Sequence, residues 1–373
     1  MKTTRSDEAI LKVGGVEILE WPGEEISGWT NVVIEKSMRQ ITGSFGVSTI
    51  DIYPGLPHRW GMFLGDECVI EINHQKVITG YIEDVIINYD AKNHIIQFGG
   101  RDKTGDLADC SFDQVAKEWK GLSIKEIIKR VCTPFGIDIV VDASVLTDAN
   151  AIWPETVKAN EGETAFDLIL RLCKMKAILP ISYSDGKLTL TRAGTAYKTH
   201  DALEQGGNIL KGNLDNSNKD RYQTYIIKGQ GKGDDFKEFI QVDVAGPVGR
   251  ATDEKVITRY RPIIIFAETE CDKGKCLERA EWEKNNRAGA SRSVNYEVQG
   301  WTQSNGEIWP LNAMVNVRDN ILGIDGSLLI SDLSFSTNES GTVTNMRLVD
   351  PNTFKMLEVV PIAAGFDAPF AGN

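Results

Sequence analysis

Two ten-residue stretches in the middle of this 373-residue chain share a pattern that suits only one kind of element. Residues 123–132 read SIKEIIKRVC and residues 164–173 read TAFDLILRLC. In a single register Thr164 falls on Ser123, Asp167 on Glu126, Ile169 on Ile128, Arg171 on Arg130 and Cys173 on Cys132. Each stretch opens with a hydroxyl residue followed three positions later by a carboxylate. That is the capping box or its acidic variant, in which the hydroxyl accepts from an orphan backbone N–H at the helix start. Ile124, Ile127, Ile128 and Val131, and then Ala165, Leu168, Ile169 and Leu172, recur at the i, i+3, i+4, i+7 spacing of one helical face. The spacing predicts two helices, each with one buried face, and places Cys132 and Cys173 out of reach of solvent. Pro134 and Gly136 stop the first helix ahead of IDIVV. The second leads into ILPISYS and KLTLTR, with Asp185-Gly186 as a hairpin signal between them. Residues 105–195 therefore read as a small α+β domain with two capped helices. The repeat is one packing solution used twice, because neither decamer sets a chemical group apart from its cap and apolar face. Arg130 and Arg171 fit a shared contact and a solvated helix flank equally well.

The flanking sequence has a different rhythm. WTNVVIEKS, SFGVSTIDI, CVIEIN, KVITGYIEDVII and NHIIQFGG are short, Val/Ile-rich and partly alternating, and no helix-length periodic segment separates them. Residues 1–104 are expected to form an all-β domain, barrel or sandwich. After residue 200 strands return in RYQTYIIKGQ, FKEFIQVDVA and VITRYRPIIIF. A charged helix over 269–290 interrupts them, with Cys276, Leu277 and Ala280 as a narrow apolar stripe. SVNYEVQGW, a Ser304-Asn305-Gly306 turn, MVNVRD, SLLISDLSF and VTNMRLVD follow. The fold class is mainly β with an α+β insert. Residues 196–355 form the second β domain with its inserted helix, 196–220 being the stretch that could instead return to the first. Residues 356–373, small and punctuated by Gly and Pro, read as a loose tail. A chain of this length exceeds one compact core, so two to four domains are expected.

Charge and composition remove several classes of function. The formal net charge is −12 and no Lys/Arg block occurs, whereas a nucleic-acid binder needs a basic footprint. Acidic balance serves solubility, and it also suits a surface that sits near DNA without holding it. No apolar run approaches the ~18 residues of a membrane span. The opening MKTTRSDEAI lacks the apolar stretch of a secretory signal, so synthesis in the cytoplasm with reduced thiols is expected. Of the six cysteines only Cys271 and Cys276, in CDKGKC, are closely spaced. Zinc would want two further ligands, and the four histidines lie far away in sequence. No metal and no cofactor are expected.

Four stretches invite a chemical reading. GQGKGDD at 229–235 alternates glycine, but a strand rather than a helix follows and two aspartates would repel phosphate, which makes it a hairpin tip. Arg101, Asp102, Asp106 and Asp109, in GGRDKTGDLADCSF, could hold an acid/base pair or form a locally paired turn. Trp301 and Trp309 flank a turn and could stack on a sugar or pack into the core. Residues 215–220, DNSNKD, lack the central Gly and terminal Glu of a calcium loop. No GxSxG occurs and no histidine stands in a catalytic context. No catalytic, cofactor-binding or metal residue is assigned.

Architecture is more informative. GYIEDVIINYDAKNHIIQFGGRDKTGDLADCS resembles the junction between the first and second domains of baseplate hub proteins of Mu-like contractile-tailed phages. The segment from Gly162 through TAFDLILRLCKMKAILPISYSDGKLTLTR resembles their second domain, and EIWPLNAMVNVRD, GSLLISDLSF and GTVTNMRLVDPNTF resemble their closing strands. The resemblance runs from about residue 10 to 355 and extends, more remotely, to the T-even phage hub and the N-terminal part of the type VI secretion spike. It implies two tube-like β-barrel domains per chain and a structural protein of the virion tail baseplate, made in the host cytoplasm and not an enzyme. It further implies a homotrimer whose six barrels match a sixfold tail tube and seat a threefold central spike protein beside other baseplate proteins, while DNA passes without specific binding. The acidic excess would then line part of a DNA channel. Two other classes compete: a tail-associated cell-wall hydrolase relying on Asp106 or Asp109, and a carbohydrate- or receptor-binding module relying on Trp301 or Trp309.

Overall fold

The computed structural model describes residues 7–13, 16–17, 20–21, 24–25, 29–50, 63–91, 94–113, 118–152, 156–174, 176–194, 197–229, 247–266, 273–338 and 341–354. Its N-terminal β region comprises β1 (Ala9–Val13), β2 (Asn31–Ser37), β3 (Ser44–Ile50), β4 (Glu67–Ile72), β5 (Gln75–Tyr89) and β6 (His94–Asp102). Alternation is the reason these segments are strands. Val32 and Ile34, then Phe45 and Val47, then Ile96 and Phe98 point into one core while their neighbours point out. The INHQKV turn is tight, with Asn73 and His74 both at positive φ.

The α+β lobe contains α1 (Ile124–Cys132), β7 (Ile139–Val141), α2 (Ala165–Lys174), β8 (Leu179–Ser182) and β9 (Leu188–Thr191). Both expected caps form. The Glu126 N–H donates to Ser123 Oγ at 3.3 Å and the Ser123 N–H donates back to Glu126 Oε2 at 2.9 Å, which closes the box. The Asp167 N–H donates to Thr164 Oγ1 at 3.1 Å. β9 lies centrally, parallel to β7 and antiparallel to β8. Strands β8 and β9 of this small sheet are buried on both faces. Leu188 and Leu190 join the helices in one core, and Leu179 and Ile181 join the core of the large sheet.

The C-terminal region contains β10 (Ile209–Asn216), β11 (Thr224–Lys228), β12 (Val248–Thr252), β13 (Pro262–Phe266), α3 (Lys273–Ala290), β14 (Arg292–Gln299), β15 (Ala313–Asp319), β16 (Ile324–Asn338) and β17 (Gly341–Val349). Strands β11, β12 and β13 form their own sheet, order β12-β11-β13, against which α3 packs. The close approach requires glycine at 249, since a Cβ there would lie 2.1 Å from the Cys276 carbonyl carbon. The expected helix over 269–290 is seen from Lys273 onward. The expected strand FKEFIQVDVA, most of GQGKGDD, Cys271 and the tail lie outside the described residues.

Fourteen described strands join in one sheet. β2 pairs with β16, Ile34 opposite Phe335, so the N- and C-terminal β regions share a ladder and one apolar core. Residues 197–216 side with the C-terminal region: Tyr197–Lys198 and Leu203–Glu204 pair with β15, and β10 pairs with β14. The molecule is mainly β, in several sheets. Among the described strands the large sheet is an open path.

Candidate functional site

The turn after β6 gathers the candidate acids, and strand alternation divides them. Arg101 points out of the sheet. Its Nε and Nη2 donate to Glu83 at 2.6 and 2.9 Å, and Nη2 also donates to Asp109 at 2.6 Å. Hydrogen bonding to Arg101 holds the Asp109 carboxyl below its ordinary range. Asp102 points the other way and is buried. It accepts from the Gly43 N–H at 2.6 Å, from the Thr104 N–H at 3.1 Å and from the Thr104 hydroxyl. Burial raises its pKa, against the pull of these donors and of Lys36. Lys36 itself lies on the core face, donates to the Val77 carbonyl at 3.2 Å, and is pushed down by burial against Asp102 and Asp185. Asp106 is raised by partial burial and by the neighbouring Glu83 and Asp109 charges. Asp102 and Asp109 thus sit on opposite faces, each held by donors of the turn, which makes this a structural junction between β region and lobe.

The other candidates are also absorbed by packing. Trp301 is 1% exposed, and its indole N–H donates to the Ser336 carbonyl at 3.0 Å. Trp309 is 4% exposed inside the same core. Neither ring presents a face for sugar stacking. Cys132 and Cys173 are fully buried, and burial pushes the Cys132 thiol up to about 12. Arg171 grips Glu163 through Nε and Nη2, both at 2.9 Å, and donates to the Lys158 carbonyl, so it fastens its own lobe. Among the described residues no cluster of His, Cys, Asp or Glu is arranged to hold a metal, and no helix is long and apolar enough to cross a membrane.

What the fold assembles instead is a polar surface. Eight strands run side by side as β10-β14-β17-β16-β2-β3-β6-β5. The residues between the core positions share the opposite face of that sheet. Reading across cross-strand partners, one row holds Gly99, Gly46, Val33, Ser336, Val343 and Gln299. The next holds Arg101, Ser44, Glu35, Ser334, Asn345, Glu297 and Lys211. A third holds Ser37, Asp332, Arg347, Asn295 and Asn213. Small and uncharged side chains prevail, and several of the charges that occur are paired. Lys211 reaches Glu297 at 2.8 Å, and Asp332 accepts from the Ser37 and Ser331 hydroxyls at 2.5 and 2.6 Å. A depression of about 430 Å³ opens where the two β regions meet, lined by Glu35, Ser37, Arg39, Asp332, Asn345 and Arg347 among others. No single motif marks this face. Its signal was the polar half of each strand's alternation, and it could be assembled only once strand order and register were known.

Three family models match the chain: Mu phage baseplate assembly protein GpP-like, N-terminal, over residues 11–102; baseplate hub protein gp44-like, second domain, over 104–192; and Mu phage baseplate assembly protein GpP, fourth domain, over 273–357. The chain is 28% identical over 336 residues to baseplate hub protein gp44 of Escherichia phage Mu, covering 89% of this chain and 87% of that protein. Among solved structures it is similar to the 43 kDa tail protein of prophage MuSo2 from Shewanella oneidensis, with 30% identity and a TM-score of 0.80 over 93% of this chain and 99% of that one. The fold is also that of a tail protein from Neisseria meningitidis MC58, at 20% identity and a TM-score of 0.76 over 94% of this chain and 99% of that one.

Proposed function

This chain belongs to the baseplate hub proteins of Mu-like phages, structural components of the virion tail rather than enzymes, and from that premise we propose that it works as a homotrimeric adaptor between a sixfold tail tube and a threefold central spike protein. Each chain contributes two tube-like β-barrel domains, 1–104 and 196–355. The α+β domain over 105–195 stands outside the tube, and 356–373 forms a tail. Three chains carrying two such domains each give the six positions that a sixfold partner requires. The partners are copies of itself, the tail tube protein, the spike protein and other baseplate proteins.

The observation that carries this reading is the shared ladder between β2 and β16, which sets the two β regions side by side in one sheet with a common polar face. A face rich in Gly, Ser, Asn and Gln, on which Lys211 and Arg101 are held by carboxylates, lets DNA pass without specific binding, because it offers phosphates few free cations. It is a mixed surface rather than a strongly acidic one, so the −12 net charge is carried mostly elsewhere. Sedimentation of the protein alone and with its spike tests the assembly. A trimer under either condition is expected, and a species no larger than a dimer under both would overturn the adaptor.

A further inference from the structure

The depression where the two β regions meet holds charges that the fold leaves unanswered. Residues of β2, β3, β14, β16 and β17 line it, together with the turn over 39–42. Arg347 and Asp332 are cross-strand partners there, yet Asp332 accepts from the Ser37 and Ser331 hydroxyls instead. Arg347 donates through Nη2 to Ser293 Oγ at 3.0 Å, and its Nε–H is buried without an acceptor. The Arg39 guanidinium carbon lies 5.7 Å from the centre of the Phe354 ring. Among the described residues no carboxylate forms an ion pair with either guanidinium. A buried donor left without a partner costs about 1–3 kcal/mol, so an acceptor brought from outside has much to gain at this point.

We propose that this depression receives a single carboxylate carried on a segment of a partner protein, with Arg347 and Arg39 supplying the cations. A guanidinium's planar fork suits carboxylate and phosphate alike, so the neighbouring charges must discriminate. Exposed Glu35 and Asp332 line the same depression, while Lys36 turns its ammonium away to the Val77 carbonyl on the core face. One incoming carboxylate beside two arginines and two acids leaves the balance near neutral. A DNA strand brings a charge at every nucleotide and meets Glu35 and Asp332 as like charges, which is selection by repulsion. The exposed amides of Asn295 and Asn345 also line the depression, and each offers the donor and acceptor that a peptide backbone requires. Its volume, about 430 Å³, is in the range of pockets that enclose organic ligands rather than single ions. The face that passes DNA thus carries one place fitted to protein.

All of these residues belong to one chain, so the site stands or falls independently of the trimer, which sedimentation reads separately. In saturation-transfer NMR on the full-length protein, an acetylated and amidated Gly-Ser-Glu-Ser-Gly peptide is titrated beside its Gly-Ser-Gln-Ser-Gly counterpart. Inorganic phosphate and a short DNA duplex serve as competitors. The glutamate peptide is expected to bind about tenfold more tightly than the glutamine one, with neither competitor displacing it. Arg347→Gln should weaken it about tenfold. Asn345→Asp should do the same by placing a like charge in the depression, and its exposed position keeps the fold out of question. No binding, equal binding of the two peptides, or unchanged affinity in both variants overturns the site. Displacement by phosphate or by the duplex overturns its preference for a carboxylate.

Discussion

The two helix-bearing lobes differ in how much they bury, and the difference decides which of them a sequence reveals. The lobe over 118–191 carries two capped helices whose inward residues, from Ile124 to Cys173, are wholly excluded from water against a sheet whose strands β8 and β9 are covered on both sides. The lobe formed by β11–β13 and α3 closes over only Tyr225, Ile227, Ala251, Cys276 and Ala280. Polar fastenings supplement that smaller core. Arg221 reaches Asp253 at 2.6 Å with both side chains mostly buried, the Tyr222 N–H donates to the Tyr225 hydroxyl at 3.0 Å, and Arg261 and Arg287 lie over the Tyr222 ring. A thick apolar core imposes a clean period on its helices, whereas a thin one held by charges does not.

The largest expected effect lies in the thick lobe. Leu168→Ala removes a fully buried side chain between helix and sheet, and chemical denaturation should show a loss of about 2–5 kcal/mol. A loss well under 1 kcal/mol would mean that this core is as forgiving as the thin one. Next comes Asp253→Ala, which strands the Arg221 guanidinium and should cost about 2 kcal/mol. Hydrogen exchange should place that loss in 224–266 and leave 124–174 protected; uniform loss would make the two lobes one cooperative unit. Ser123→Ala opens a complete capping box and should cost about 1 kcal/mol, with Thr164→Ala costing no more because its cap holds a single bond. An inverse order would show that the matched decamers are not equivalent helix starts. The subtlest test is thiol labelling. Exposed Cys110 should react at once, Cys276 through local opening of its lobe, and Cys132 and Cys173 only on global unfolding. Equal rates for Cys276 and Cys173 would erase the contrast.

The α+β lobe was legible almost residue by residue, because caps and helical periodicity are local properties of contiguous sequence. The family could be read for a related reason, since the turn at Gly100–Leu107 and the closing strands keep their order along the chain. The β11–β13 unit escaped notice as a unit. Its strands looked like any others of the C-terminal region, and its parallel pairing of β11 with β13 joins segments separated by a whole strand and its connections. The acid-rich turn left two readings open in sequence, an acid/base pair and a locally paired turn, and the structure shows the second. GRDKTGDLAD reads as a cluster of carboxylates, yet Arg101 and Asp102 are adjacent in a strand and must point to opposite faces.

What this sequence determined by itself was therefore the set of local elements, their order, the buried faces of α1 and α2, and the family to which they belong. What only the tertiary structure decided was which strands lie side by side. Pairing β2 with β16 brings together Ser37 and Asp332, and Val33 and Ser336, residues about three hundred positions apart. Strand period tells which side chains share a face of one strand, but hydrogen bonds between distant backbones choose the neighbour and the register. The polar face is a product of that choice, and no contiguous stretch of residues encodes it.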